Sequence, residues 1–324
     1  MILRLGLCMA ILLFMLFSPP VLIEALDEDF YSGVIQIKKP EWRGSITLYH
    51  IVTHKTYQGS VTYYLQTQAE EFEKANRGVF IEVVGMSEQD YLERLEYGRR
   101  PDAYSFFAGT VYAEQLRELS QSYEGFIPGL KAYALAAPYF FSGYADCINE
   151  QGADGGAVSA SCFMGALLEL QSVDDAPGFM DGRYGRAILN LRELGDCKRN
   201  EKPMQMKVGA AGGFTEQVCY LGIAKETSDD KAYWMEQFFL WLLEEKAQQQ
   251  LTGLGAFSVR EGLEQVFSDG TLSEIRAAYA SVETVDPFLY YSHKAAMLED
   301  AGLAVAGDAA AQGRFNERLS VVLS

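Results

Sequence analysis

The chain has 324 residues, of which 49% are hydrophobic and 13% aromatic, so it can bury a substantial core as one large domain or two. Its formal net charge is −17. Because nucleic-acid phosphates are bound by basic surfaces, this acidity argues against a nucleic-acid partner and is typical of a well-solvated surface.

The amino terminus has the features of an export signal. Residues 1–17 carry one positive charge, at Arg4, followed by an uncharged apolar run that is short for a membrane span. The small-residue cleavage pattern is poorly matched, so residues 1–26 are interpreted as either a signal peptide or an N-terminal membrane anchor. Cys8 precedes most of the apolar run, which does not fit a lipoprotein. Residues 27–45 are predicted to be an irregular lead-in to an exported protein.

Residues 46–107 alternate short β-rich runs with longer segments of helical apolar spacing. This alternation predicts parallel strands joined by crossover helices, and therefore an α/β fold. Ligands of such sheets bind beyond the carboxyl ends of the strands. The predicted binding edge therefore includes residues 49–57, 85–87 and 104–109.

Later segments carry further helix signals. A helix is predicted over residues 111–119, and Thr227 or Ser228 is predicted to cap a helix that has Asp229 and Asp230 in its first turn. The capped helix is apolar on all sides, which predicts deep burial.

Four motifs, in order, resemble those of family 1 of the extracellular solute-binding proteins of ABC importers. They read AEEFEKANRGVFIEVV with GRRPDAYSF, YALAAPYFFSGY, GFMDGRYGRAILNLREL with VGAAGGFTEQVC, and KAQQQLTGLGAF. The resemblance implies a bilobed periplasmic-binding-protein-like (type II) fold, two α/β lobes with a hinge. Lobe 1 would comprise residues 46–140 and 218–324, and lobe 2 residues 141–217. Lobe 2 is shorter than is usual in that family.

The resemblance also implies a function. The protein would bind a small polar ligand, a sugar or oligosaccharide, in the cleft between the lobes and deliver it to the membrane permease of an ABC importer. It would act as a monomer without a cofactor, at the extracellular face of the cytoplasmic membrane or in the periplasm. The short second lobe keeps an alternative open, which is a non-transport sensor or interaction protein that retains the solute-binding fold.

Catalysis is not predicted. The chain has no Gly-x-Ser-x-Gly elbow, P-loop or dinucleotide-binding glycine motif. Its three histidines lack the spaced partners that a metal site needs. We therefore expect neither an enzyme nor a metal site.

Candidate ligand-binding residues combine side-chain chemistry with position. Aromatic faces cover the CH surfaces of sugars, and planar polar groups bond to their hydroxyls. Asn190 and Arg192 are included because the resembled family places such a loop at the cleft. Each aromatic residue has ordinary core packing as its alternative, and Asp102 has turn capping. The candidates are Tyr49, His50, Thr53, Tyr57, Asp102, Tyr104, Tyr139, Tyr144, Asn190, Arg192, Phe214, Gln217 and Phe257.

Four cysteines follow the leader. An exported chain can keep disulfides, so one or two bridges are expected, with buried free thiols as the alternative. The cysteines concerned are Cys147, Cys162, Cys197 and Cys219.

Overall fold

Two β-sheets organise the part of the chain that the structure describes. The computed structural model describes residues 42–152, 156–158, 162–170, 176–199 and 206–323. The predicted signal peptide or anchor, residues 1–26, lies outside these described residues. Within the described ranges, no helix has both the length and the apolar character needed to cross a membrane.

Strands and helices are numbered in chain order. The strands are β1 Gly44–Val52, β2 Val79–Ser87, β3 Ala103–Phe107, β4 Leu116–Arg117, β5 Ala137–Phe141, β6 Tyr144–Asn149, β7 Gly156–Val158, β8 Arg186–Asn190, β9 Met206–Ala210, β10 Val218–Ala224 and β11 Phe257–Ser258. The helices are α1 Val61–Ala75, α2 Glu88–Glu96, α3 Cys162–Leu167, α4 Ala176–Met180, α5 Leu191–Arg199, α6 Asp229–Leu242, α7 Glu245–Gln250, α8 Gly270–Ala278, α9 Pro287–Val305 and α10 Ala309–Val322.

The larger sheet has the order β11-β5-β10-β3-β1-β2, and β4 also pairs with β10. Strand β1 is parallel to both β2 and β3, as the alternation over residues 46–107 predicts. Strand β10 returns from a distant part of the chain and runs antiparallel between β3 and β5. All seven of its residues are buried, with β3 and β5 paired on its two sides and α6 packed against it.

Local signals explain the first two helices. Ser60 caps α1 by accepting a hydrogen bond from the amide of Tyr63, and the helix buries Tyr64, Leu65 and Phe72 against the sheet. A capping box at Ser87 starts α2. These helices are the crossovers that make the first three strands parallel.

The helix predicted over residues 111–119 is wrong. This segment forms a single 3-10 turn at Ala113–Gln115 and then strand β4. Pairing of Leu116 and Arg117 with β10 satisfies the backbone that a helix would otherwise satisfy internally. Tertiary pairing has overridden the local pattern.

The smaller sheet has the order β7-β8-β6-β9. Strand β6 is antiparallel to β8 and β9, and β7 is parallel to β8. Helix α4 precedes β8, as the GFMDGRYGRAILNLREL motif predicts, but α5 follows β8 directly, where the resemblance implies a loop at the cleft.

Two chain crossings join the sheets. The first crossing is residues 142–143 and the second is residues 211–217. The Ser142 amide donates to the Gln217 carbonyl (3.0 Å), and the Thr215 hydroxyl donates to the Ser142 carbonyl (2.7 Å). The Tyr279 hydroxyl accepts from the Tyr144 amide (2.9 Å) and donates to the carbonyl of Phe214 in the second crossing (3.3 Å). The crossings are therefore hydrogen-bonded to each other, and one buried tyrosine bonds to the second crossing and to the first residue of β6.

The C-terminal helices contact the segment that carries the smaller sheet. Helix α8 packs against β9, and α9 and α10 pack against α3. The Phe163 ring of α3 lies edge-on to Tyr290 and Phe315, with centroids 5.9 and 5.1 Å away. The assignment of residues 218–324 to lobe 1 stays a prediction, and this packing places α8–α10 beside the segment that carries the smaller sheet.

Candidate functional site

The carboxyl edge of the larger sheet is where a ligand of this fold class would bind. Strands β1, β3 and β5 end there and the antiparallel strand β10 begins there. We define the carboxyl edge as residues 53–57, 108–110, 142–144 and 214–217. It includes most of both crossings, so residues of the two sheets meet at this edge.

Tyr57 lies at the carboxyl edge with its ring covered by protein. Its hydroxyl donates to Asp269 (2.8 Å), and Arg199 donates to its carbonyl (3.1 Å) while holding its guanidinium 5.5 Å from the ring centroid. Lys198 pairs with Asp269 at 2.7 Å. Burial, followed by the bond to Asp269, raises the pKa of Tyr57 to about 12. This cluster ties the loop after β1 to α5 and α8.

Burial alone would raise the pKa of Asp269. Hydrogen bonds from Lys198 and Tyr57 overcome that effect and lower the pKa to about 2. The carboxylate is therefore charged at any physiological pH, and the contact between the Tyr57 loop and α8 is ionic in part.

Thr53 and His54 follow β1 at the same edge. The Thr53 hydroxyl lies 3.0 Å from His54 Nδ1, and the His54 ring lies 4.9 Å from the Phe107 ring. Burial, with a further contribution from the Lys294 charge, lowers the pKa of His54 to about 4. His54 was not among the sequence candidates, and it is uncharged at neutral pH.

His50 belongs to a buried polar row inside the larger sheet. Its Nδ1 lies 2.8 Å from the Ser105 hydroxyl, which lies 2.8 Å from the Tyr139 hydroxyl. Cys219 Sγ is 3.6 Å from the same Tyr139 oxygen. The row crosses β1, β3, β10 and β5, and its members bond to each other. Burial lowers the pKa of His50 to about 4, against the hydrogen bond with Ser105.

Tyr49 of β1 and Tyr104 of β3 lie opposite each other in the parallel pairing of these two strands. The Tyr49 hydroxyl accepts from Arg94 at 3.2 Å, and Tyr104 packs edge-on against Tyr91 with centroids 5.9 Å apart. Burial raises the pKa of Tyr104 to about 12. Both rings pack towards α2 rather than towards the carboxyl edge.

Asp102 lies at the opposite edge of the sheet, because β3 begins immediately after it. Its carboxylate accepts from the Thr47 amide (2.9 Å) and pairs with Lys231 (2.8 Å). The structure does not bring this side chain together with the other candidates.

Asn190 and Arg192 make local contacts. The Asn190 side chain accepts from the Glu193 amide (2.9 Å), while the Glu193 carboxylate accepts from the Asn190 amide (3.0 Å). This reciprocal pair starts α5. Arg192 pairs with Asp196 one turn along the same helix, at 3.1 Å.

The remaining candidates lie at or near the second crossing. The Phe214 ring stacks on Phe163, with centroids 5.4 Å apart and an interplanar angle of 10°. Gln217 bonds to both crossings through its backbone, accepting from Ser142 and donating to the Thr215 hydroxyl (3.0 Å). Phe257 is fully buried within a cluster of aromatic side chains from β5, α8 and the segment before α8.

Glu216 is the functional candidate that sequence reasoning missed. It is buried in the second crossing, and its Oε1 accepts from the Tyr144 hydroxyl at 2.5 Å. Burial raises the pKa of the Glu216 carboxyl, and the Tyr144 bond and the Lys294 charge oppose that rise. A single glutamate in a polar loop has no periodicity or spacing signal. The one sequence signal for Glu216 is its position in GGFTEQV, two residues before the start of β10.

The described cysteines are free thiols. Cys147, Cys197 and Cys219 are all buried and unbridged, which fits the alternative of buried free thiols. Burial raises the pKa of each of the three, to about 11 for Cys197 and about 12 for Cys219. The side chain of Cys162 lies outside the described residues.

Solved structures of similar fold identify the architecture. The cyclic alpha-maltosyl-1,6-maltose binding protein of Arthrobacter globiformis aligns with a TM-score of 0.61 at 11% identity, covering 86% of this chain and 97% of that chain. The GacH receptor of Streptomyces glaucescens, which was solved unliganded and with acarbose, aligns at 0.60 and 13% identity over 86% and 99%. Iron-bound HitA of Pseudomonas aeruginosa aligns at 0.52 and 14% identity over 80% and 99%.

These likenesses confirm the predicted bilobed periplasmic-binding-protein-like α/β fold. The named ligands of the similar proteins range from oligosaccharides to iron, so the fold alone does not choose a ligand. No protein-family model and no curated protein matches the sequence.

Proposed function

We propose that this protein is the extracytoplasmic solute-binding protein of an ABC importer, and that it binds a sugar or oligosaccharide between its two lobes. The observation that carries the proposal is the carboxyl edge, where the ends of β1, β3 and β5 meet both crossings. Aromatic and polar side chains from the two sheets converge there, as sugar recognition requires. Two similar structures whose names include an oligosaccharide ligand align with TM-scores of 0.60 and 0.61, above the 0.52 of iron-bound HitA, which favours the sugar among the ligands of this fold.

The mechanism is closure around the ligand, with no bond made or broken. The two crossings would form the hinge, because they connect β5 to β6 and β9 to β10. Arg199 and Lys198 of α5 bond to Tyr57 and Asp269, and these contacts would add to the stability of a closed form. Opening would break these bonds together with the ligand contacts, so a bound ligand shifts the equilibrium towards the closed form.

Thermal-shift measurements on the full chain test ligand binding. The panel contains maltose, maltotriose, monosaccharides, amino acids, polyamines and ferric ion. A ligand present at one hundred times its dissociation constant should add about 2.7 kcal/mol to the free energy of unfolding. A shift with an oligosaccharide, confirmed by titration calorimetry, supports the proposal. A folded protein that shifts with none of them would contradict it and favour the sensor or interaction protein.

The importer context needs a separate test. We expect the chain to be exported to the extracellular face of the membrane or the periplasm, to be monomeric by light scattering, and to co-purify with a membrane permease when ligand is present. Recovery with a sensor kinase instead of a permease would favour the alternative function.

A further inference from the structure

Three buried side-chain oxygens at the carboxyl edge have no hydrogen-bond partner among the described residues. They are the Thr110 hydroxyl, the Ser142 hydroxyl and Oε2 of Glu216. The three residues are only 2%, 3% and 6% exposed, so bulk water does not replace the missing partners. Buried oxygens of this kind are uncommon, and each one calls for a physical explanation.

Sheet topology places the three oxygens at the same edge. Thr110 follows β3, Ser142 follows β5, and Glu216 precedes β10, which runs antiparallel between those two strands. The pairing continues past the strand ends, because the Ala108 amide donates to the Val218 carbonyl (3.1 Å) and the Ser142 amide to the Gln217 carbonyl (3.0 Å). The segment that carries Glu216 therefore leaves the sheet between the segments that carry the two hydroxyls.

Glu216 is held in place by its other oxygen. Oε1 accepts the Tyr144 hydroxyl at 2.5 Å, which restrains the carboxyl group and leaves Oε2 as its one open acceptor. An unpaired buried polar group costs about 1–3 kcal/mol, and more when it is charged. Three such groups at the ends of adjacent strands destabilise a protein core. A ligand that supplies the missing hydrogen bonds would remove this cost.

We propose that Glu216, together with Thr110 and Ser142, anchors the hydroxyl groups of a neutral polyhydroxylated ligand. This inference rests on the proposed function and names the polar anchor of its site. A carboxylate accepts hydroxyl protons, and serine and threonine hydroxyls both donate and accept, as sugar hydroxyls do. The bond to Glu216 would be charge-assisted and hence the strongest of the three.

Lys294 favours a neutral ligand over a cation. Its ammonium group lies close enough to act on the charge of Glu216, yet its ion-pair partner is Glu88, at 3.4 Å. A ligand cation beside Glu216 would therefore meet repulsion from Lys294 as well as attraction from the two carboxylates. A sugar hydroxyl meets no such repulsion.

Titration calorimetry with maltose, maltotriose and glucose on the full chain tests the anchor. Glu216→Gln keeps an acceptor for Tyr144 but loses the charge, and it should weaken binding of the best sugar by roughly tenfold or more. The matched control is Glu236→Gln, a buried carboxylate whose two oxygens are bonded by Ser120. It should alter stability and leave affinity unchanged.

Two hydroxyl deletions separate an anchor from a structural role. Thr110→Val and Ser142→Ala remove oxygens that have no partner, so the ligand-free protein should be as stable as the wild type, or more so. Each should nevertheless weaken sugar binding several-fold. These variants also keep the inference testable if Glu216→Gln does not fold.

The results distinguish failure of the anchor, failure of the neutral ligand class and failure of the proposed function. Equal sugar affinity in the wild type, Glu216→Gln and both hydroxyl variants would overturn the anchor while leaving the proposed function in place. Tight binding of a diamine in preference to every sugar would overturn the neutral ligand class. If the folded wild type binds no sugar, the proposed function itself fails.

Discussion

Replacing His50 by asparagine should make the free energy of unfolding less dependent on pH between 7 and 5. His50 is 1% exposed in the centre of the larger sheet, and burial lowers its pKa from 6.5 to about 4. In the unfolded chain, the imidazole takes up a proton near its ordinary pKa. As the pH falls, the His50 imidazole is therefore protonated at a higher pH in the unfolded chain than in the folded protein. Stability from this residue is complete above pH 6.5 and is lost as the pH falls towards 4.

The size of the effect follows from the two pKa values. At pH 5 the linkage relation for a shift from 6.5 to about 4 gives a loss of about 2 kcal/mol relative to pH 7 or above. Below pH 4 the loss approaches about 3 kcal/mol, since each pKa unit corresponds to about 1.4 kcal/mol. Other groups also titrate in this range, and they do so in every variant, so the difference between variants isolates His50.

Urea unfolding followed by tryptophan fluorescence at both pH values measures the effect. The wild type should lose about 2 kcal/mol more than His50→Asn when the pH is lowered from 7 to 5. The control is Ser105→Ala, which removes the 2.8 Å bond to the imidazole but keeps the imidazole buried. It should be less stable at both pH values and still show the wild-type pH dependence. If the wild type and His50→Asn lose the same free energy of unfolding between pH 7 and pH 5, His50 is not the source of the pH dependence.

Three further expectations concern buried contacts. Tyr279→Phe should lower the calorimetric melting temperature by about 3–4 °C, because its hydroxyl bonds to the second crossing and to the first residue of β6. Tyr233→Phe, on the exposed side of α6, should not change it. Gly129→Ala should abolish soluble expression, because φ of Gly129 is +91° and an added Cβ would lie 1.7 Å from the Val282 carbonyl oxygen. The control, Gly253→Ala, adds a Cβ in open space and should express normally. Cys147, Cys197 and Cys219 should react with Ellman's reagent only after denaturation, so the thiol count of this five-cysteine chain should rise by at least three in guanidinium. A smaller rise would contradict free thiols at these positions.

Much of the first lobe is predictable because its signals are local. Helical apolar spacing and caps such as Ser60 lie within a few residues of the elements that they define. The crossover helices then require parallel strands, so β1, β2 and β3 follow from the sequence pattern. The interpretation of residues 111–119 as a helix failed because the competing partner, β10, lies about one hundred residues further along the chain.

The candidate site could be predicted only in part. Tyr57, Tyr144 and Phe214 lie at the carboxyl edge, where strand ends predicted a ligand. Asp102 lies at the opposite edge, because the sequence pattern could not separate the start of β3 from its end. Phe257 has the side-chain chemistry of a sugar-binding residue and the position of a core residue. Residue type alone does not distinguish these two roles.

By itself, the sequence determined that an acidic chain folds into alternating strands and helices, with ligand-competent edges at the strand ends. Tertiary structure alone decided that β10 enters the sheet antiparallel between β3 and β5. That insertion brings Glu216 between Thr110 and Ser142, residues separated from it by 106 and 74 positions. Local propensity acts over one or two turns, whereas the meeting of these oxygens depends on long-range pairing and burial, which no short stretch of the chain encodes.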